Sequence, residues 1–143
     1  MAEPPVFDWT DRYAPSLDEF EALAVKALEA LPQPFRDLVA GVVCVVAEFP
    51  EDEVLDELGI ESPFDLMGLF TGVGMAQDGA VPSTGQLPNH VHLYRRPILD
   101  YWAENDETLG AVVTHVLIHE MGHHFGYSDE DMEAIEAAAE RGE

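Results

Sequence analysis

The sequence predicts a small α+β domain. A mixed sheet of about three to four strands should pack against an N-terminal helix and a longer helix near the C-terminus. Three observations carry this. The chain has 143 residues, the size of one domain, long enough to bury roughly two thirds of its unfolded surface. Its apolar residues, 47% of the total, recur at helical spacing near both ends. Between those ends lie short β-branched runs bounded by glycines and prolines.

Residues 1–15 read as an irregular lead-in and 16–143 as the domain itself, with Val6, Phe7, Trp9 and Tyr13 available to dock on it. Ser16 and Glu19 form a capping box. Leu17, Phe20, Leu23, Ala24, Ala27, Leu28 and Leu31 then keep helical spacing as far as Pro32. A short helical turn is expected around Phe35 to Leu38. "GVVCVVAEF" (41–49) is continuously apolar and β-branched, the pattern of an internal strand. "EDEVLDELG" reads as an acidic helix stopped by Gly59, with Val54, Leu55 and Leu58 turned inward. "DLMGLFTG" (65–72) is a strand interrupted by Gly68. Residues 74–89 form a Gly/Pro/Ser-rich loop, long enough to move or to border a site. "HVHLYRRPIL" (90–99) alternates as a half-exposed or edge strand does, ending before Pro97. The most strongly patterned helix runs from Asp106 to about Phe125, with Leu109, Val112, Val113, Val116, Leu117 and Met121 as its apolar stripe. A last acidic helix, about 129–141, starts behind a Ser128–Asp131 capping box, and Met132 on it is expected to pack into the core.

Charge narrows the function classes. Against 29 Asp and Glu stand 6 Lys and Arg, a formal charge of −23. Such a surface repels nucleic-acid phosphates and anionic membranes and favours basic partners or plain solubility. Most of these carboxylates are expected to be solvated surface. The single cysteine, Cys44, has no internal partner for a disulfide and sits in an apolar run, as a buried strand residue would. The first sixteen residues lack both a basic start and an apolar stretch, so a cytoplasmic protein is expected. Oligomeric state is not written in these residues.

Residues 119–129, "HEMGHHFGYSD", carry the chemistry. His119 and His123 are one helical turn apart, so both imidazoles project from one face and reach a single metal. Glu120 lies one step round that face, placed to bond water beside the metal without being a ligand. A catalytic zinc needs a third protein ligand and an open fourth position. Gly126 can turn the chain back so that Asp129 supplies it. Glu133 and Glu136 compete for that place, although they stand only ten and thirteen residues past His123. His115, one turn before His119, is placed to hydrogen-bond in the same region, and His124 points about 100° away from His123. His90 and His92 form a further histidine pair for which no role is expected. Shuffled, this composition yields roughly 0.03 matches to H-E-x-x-H, and roughly 0.0002 once Gly126 and Asp129 are required. Chance is a poor account of the motif.

The stretch resembles the long zinc-binding pattern of metzincin-type peptidases, H-E-x-x-H-x-x-G-x-x-H/D, with aspartate in the third place. The chain as a whole resembles the minimal bacterial zincin-like metallopeptidases. "GLFTGV" (68–73), "VHLYRRPIL" (91–99) and "VVTHVLIHEMGHHFGYSDEDM" (112–132) support the likeness, which spans most of residues 16–138. The resemblance implies one Zn2+ per chain held by His119, His123 and Asp129, with Glu120 as general base. It implies a hydrolase in which a metal-bound water, its proton taken by Glu120, attacks a peptide carbonyl. The substrate would be a peptide or protein, laid by analogy along "HVHLYRR" as an edge strand. Tyr127, Tyr94 and His124 are all chemically able to assist the oxyanion.

Two alternatives differ in class. The motif also resembles the H-x-x-x-H-x-x-G-Y-x-H pattern of single-metal endoribonucleases. Glu at 120, Asp in place of the third histidine and a charge of −23 all point away from RNA. Alternatively, a metal pins the last two helices of a non-catalytic acidic interaction module. Glu120 argues against that, because a purely structural zinc is closed by Cys and His.

Overall fold

The structure, a computed structural model, describes residues 9–72 and 89–141. Val6, Phe7 and nearly all of the 74–89 loop lie outside the described residues. Helix α1 (Leu17–Glu29) begins at the expected box: Ser16 N–H donates to Glu19 Oε1 at 2.8 Å and Glu19 N–H to Ser16 Oγ at 3.1 Å. A short helix α2 (Phe35–Leu38) leads to strand β1 (Val43–Ala47). Helix α3 (Asp52–Leu58) stops at Gly59 in the left-handed conformation, φ +70°. Strands β2 (Gly68–Thr71) and β3 (His90–Tyr94) follow, then helices α4 (Arg95–Glu104), α5 (Leu109–His124) and α6 (Asp129–Glu140). Among the described residues this is an α+β domain with a three-stranded mixed sheet, as the sequence predicts.

The sheet order is β1-β3-β2, with β1 parallel and β2 antiparallel to β3. That reverses two sequence expectations. The 90–94 strand is central, and the continuously apolar 43–47 strand is outermost. Apolar alternation reports which faces a strand buries, whereas sheet position depends on how many backbone edges are paired. Val91 and Leu93 are fully buried under α5, while Val43 is 41% exposed. Nor does the strand run on towards Pro97. It ends at Tyr94, and Pro97 sits in the first turn of α4, where its missing N–H is tolerated. The long helix starts three residues later than expected, because Thr108 caps it: its Oγ1 accepts from Ala111 N–H at 3.1 Å. Leu58 points outward at 49% exposure, and Trp9 and Tyr13 are exposed rather than docked.

One core joins the layers. Phe20, Ala24 and Leu28 of α1, Val91 and Leu93 of β3, and Val112 to Met121 of α5 pack together, closed by Phe35 and Met132. Two glycines permit close approaches to α5. A Cβ on Gly68 would come within 2.8 Å of Val116 Cγ1, so β2 and α5 touch only because that position is bare. A Cβ on Gly122 would collide with the sulfur of Met132, which is how α6 lies down against α5. Met132 is fully buried, in keeping with its expected place in the core. Cys44 is partly buried, and burial pushes its thiol up to about 11, so it stays protonated as a packing residue. No described helix is long and apolar enough to cross a membrane.

Candidate metal centre

Helix α5 sends its residues to two environments. Val116 and Leu117 face the core, and Glu120 follows Val116 onto β2, its Cγ 3.3 Å from where a Gly68 Cβ would sit. His115, His119 and His123 leave the helix at intervals of one turn; the rings of the first two lie 4.1 Å apart and those of the last two 6.0 Å apart.

The helix ends in a glycine-dependent turn. Tyr127 N–H donates to Gly122 O at 2.8 Å and Gly126 N–H to His123 O at 3.2 Å, with Gly126 at φ +84°. These paired bonds satisfy the last carbonyls of α5 and reverse the chain. Ser128 then caps α6: its Oγ accepts from Asp131 N–H at 3.1 Å, and its own N–H reaches Asp131 Oδ2 at 3.4 Å. The result brings Asp129 Oδ1 within 3.6 Å of His123 Nε2. Both side chains are exposed, at 62% for His123 and 82% for Asp129.

His119 faces elsewhere. Its Nε2 is 2.7 Å from Glu136 Oε1, and the same oxygen is 2.7 Å from His115 Nδ1. His115, His119 and Glu136 each offer a ligand atom within 4.8 Å of the others. Of the four residues singled out by the motif, His123 and Asp129 are therefore paired, His119 is paired instead with Glu136, and Glu120 stands on the sheet side. Sequence reasoning weighed Glu136 but counted its spacing as too short. A usable signal was present: α6 returns along α5 from Met132 opposite Gly122, so Glu136, one turn further on, must come alongside His119 and His115, about one and two turns back.

Burial sets the electrostatics. Loss of water around Glu120 raises its carboxyl above the ordinary carboxylate range, and the nearby His123 offsets this only in part. Burial also raises the Tyr94 hydroxyl, reinforced by the carboxylates of Glu51 and Glu120. Tyr94 is 5% exposed and stays a proton donor near Glu120. Tyr127 instead packs on Phe35 with ring centroids 5.3 Å apart, and His124 lies on Phe70 at 4.2 Å. Burial lowers the His92 imidazole, with His90 adding to the effect, and its Nε2 is 3.3 Å from Thr71 Oγ1 across the β2–β3 pair.

Compared with known families, residues 39–139 match the zincin-like metallopeptidases. The chain belongs to that family. No curated protein matches its sequence. Zinc is the metal this zincin-like family implies, and the donor set suits it: imidazole nitrogens and carboxylate oxygens are its ordinary ligands. Two ligands on a tetrahedral zinc stand about 3.4 Å apart, given bonds of about 2.1 Å. The 3.6 Å between His123 Nε2 and Asp129 Oδ1 is close to that separation.

Proposed function

We propose that this zincin-like chain is a zinc-dependent metallopeptidase-like hydrolase, with His119, His123 and Asp129 as metal ligands and Glu120 as general base. The observation that carries the reading is Glu120 itself. It is held half-buried against Gly68, near His123, and lost hydration raises its carboxyl above the ordinary value. A general base works best with a pKa near the working pH.

Zinc, when bound, supplies Lewis-acid chemistry, acidifying a water and polarising a carbonyl. Glu120 takes the proton from the attacking water and passes it to the leaving amine. Tyr94, kept protonated by its burial, is the hydroxyl whose field couples to Glu120. Substrate backbone cannot pair with β3, whose two edges are taken by β1 and β2. Among the described residues the outer strand beside Glu120 is β2, so an extended peptide laid there passes next to the base. The −23 charge favours a basic peptide.

Elemental analysis of purified wild type beside His123→Ala and Asp129→Ala tests the ligand set, with hydrolysis of a mixed peptide pool measured on the same samples. One zinc per chain with hydrolysis in wild type is expected, and loss of hydrolysis in both variants. Unchanged hydrolysis in Asp129→Ala would remove Asp129 from the set.

A further inference from the structure

Three donor atoms converge at the middle of α5. Glu136 Oε1 is sealed from solvent and has two imidazole nitrogens 2.7 Å away, yet neither ring N–H points along the line of a hydrogen bond to it. A buried carboxylate oxygen without a directed donor is costly in a native protein and calls for a physical account. Two neighbouring imidazoles, tilted 33° to each other and facing one oxygen, give poor hydrogen-bond geometry. The same arrangement suits a small cation, which accepts lone pairs from all three atoms and needs no N–H aimed at the oxygen. The 2.7 Å spacings need to open to only about 3.4 Å for a tetrahedral centre. Side-chain rotations supply a shift of that size, because the His115 side chain is 41% exposed and faces free space.

That space is a cavity of about 360 Å³ beside His115 and Glu136, lined by Ala27 of α1, Ala30 just past its end, and Ala111 and Thr114 of α5. It gives a cation a route in and leaves room for a fourth, non-protein ligand. Cysteine is absent from the cluster, so the donor set favours borderline divalent ions such as Zn2+ or Co2+ over softer metals.

We propose that His115, His119 and Glu136 form a metal site of their own for a borderline divalent cation, sharing His119 with the His123–Asp129 pair so that only one of the two sets is filled at a time. The His115 set lies one to two helical turns from His123, on the cavity side of α5, whereas Glu120 lies on the sheet side. A cation held there is displaced from the general base. The His115 set is therefore a resting position for the metal.

The sharing of His119 rests on the functional reading above, but the test separates the two. Zn2+ is titrated calorimetrically into the full chain, with folding of each variant checked by circular dichroism. The double variant His123→Ala/Asp129→Ala should still bind one Zn2+. Adding Glu136→Gln or His115→Ala to it should weaken that binding at least tenfold. In the otherwise native chain, Glu136→Gln should leave one Zn2+ bound through His123 and Asp129. A folded double variant that takes up no Zn2+ overturns the proposal, as does binding indifferent to both added changes. The peptidase reading falls instead if wild type binds Zn2+ and cleaves nothing, an outcome that leaves the His115 site standing.

Discussion

At the middle of α5, His119 and Glu136 are each three-quarters buried and 2.7 Å apart; one turn on, His123 and Asp129 are 62% and 82% exposed and 3.6 Å apart. The two pairs join the same two helices. They differ in what holds them. Glu136 is fixed by α6 lying flat on α5, with Met132 seated where Gly122 has no side chain. Asp129 is fixed only by the turn through Gly126 and the Ser128 cap. A buried pair is set by packing before any ligand arrives, whereas an exposed pair can adjust around one, since few contacts oppose its rotamers. This difference suits a protein that stores its metal in one place and uses it in another.

The largest expected effect separates binding from chemistry. Glu120→Gln should lower peptide hydrolysis by about 10²–10⁴-fold, the usual contribution of a positioned base, while zinc content stays at the wild-type level. Zinc loss in that variant would make Glu120 a ligand and merge the two regions into one site. Next comes the packing that distinguishes them. Met132→Ala empties a fully buried position between α5 and α6 and should cost about 2–5 kcal/mol in chemical denaturation. Gly122→Ala drives a methyl into the Met132 sulfur and should cost about 1–3 kcal/mol by the same measurement. If either change left stability intact, Glu136 would not be held by packing. Ser128→Ala acts only at the exposed end. It removes the Oγ that accepts from Asp131 N–H at 3.1 Å and should cost about 1 kcal/mol. Its effect on zinc affinity should exceed its effect on the zinc retained by the His123→Ala/Asp129→Ala background.

Local chemistry was legible in the sequence where one residue dictates one conformation. Ser16, Gly59, Gly126 and Ser128 each announced a helix end, and each end is found there, because caps and left-handed turns are decided within about four residues. The placement of His119, Glu120 and His123 along one helix was legible for the same reason, since helical spacing alone sets it. The order of the sheet was not. β1 carries a stronger apolar run than β3 yet lies outside it, because sheet position depends on which backbone edges are paired rather than on either strand's own pattern. Glu136 is only a competitor for the third place when residues are counted forward from His123, whereas the antiparallel return of α6 carries residues back towards His119 and His115.

The smallest effect is one of pH, and it sharpens the contrast between the sheet side of α5 and its exposed end. Burial raises the folded-state pKa of Glu120 above its unfolded value, so the folded protein holds that proton more tightly. The stabilisation is complete below the ordinary carboxylate range and is lost as pH rises through the raised value. Glutamine at 120 has no proton to lose. In metal-free samples, the thermal stability of Glu120→Gln relative to wild type should therefore climb as pH rises from about 4 through the raised value and then level off. Glu57→Gln, at an exposed position of α3, removes the same unit of charge from the −23 total without touching a buried site, and its relative stability should change less over that range. Equal curves for the two variants would mean that Glu120 is as well hydrated as a surface acid. The distinction between a dry base and a wet pair of ligands on one helix would then disappear.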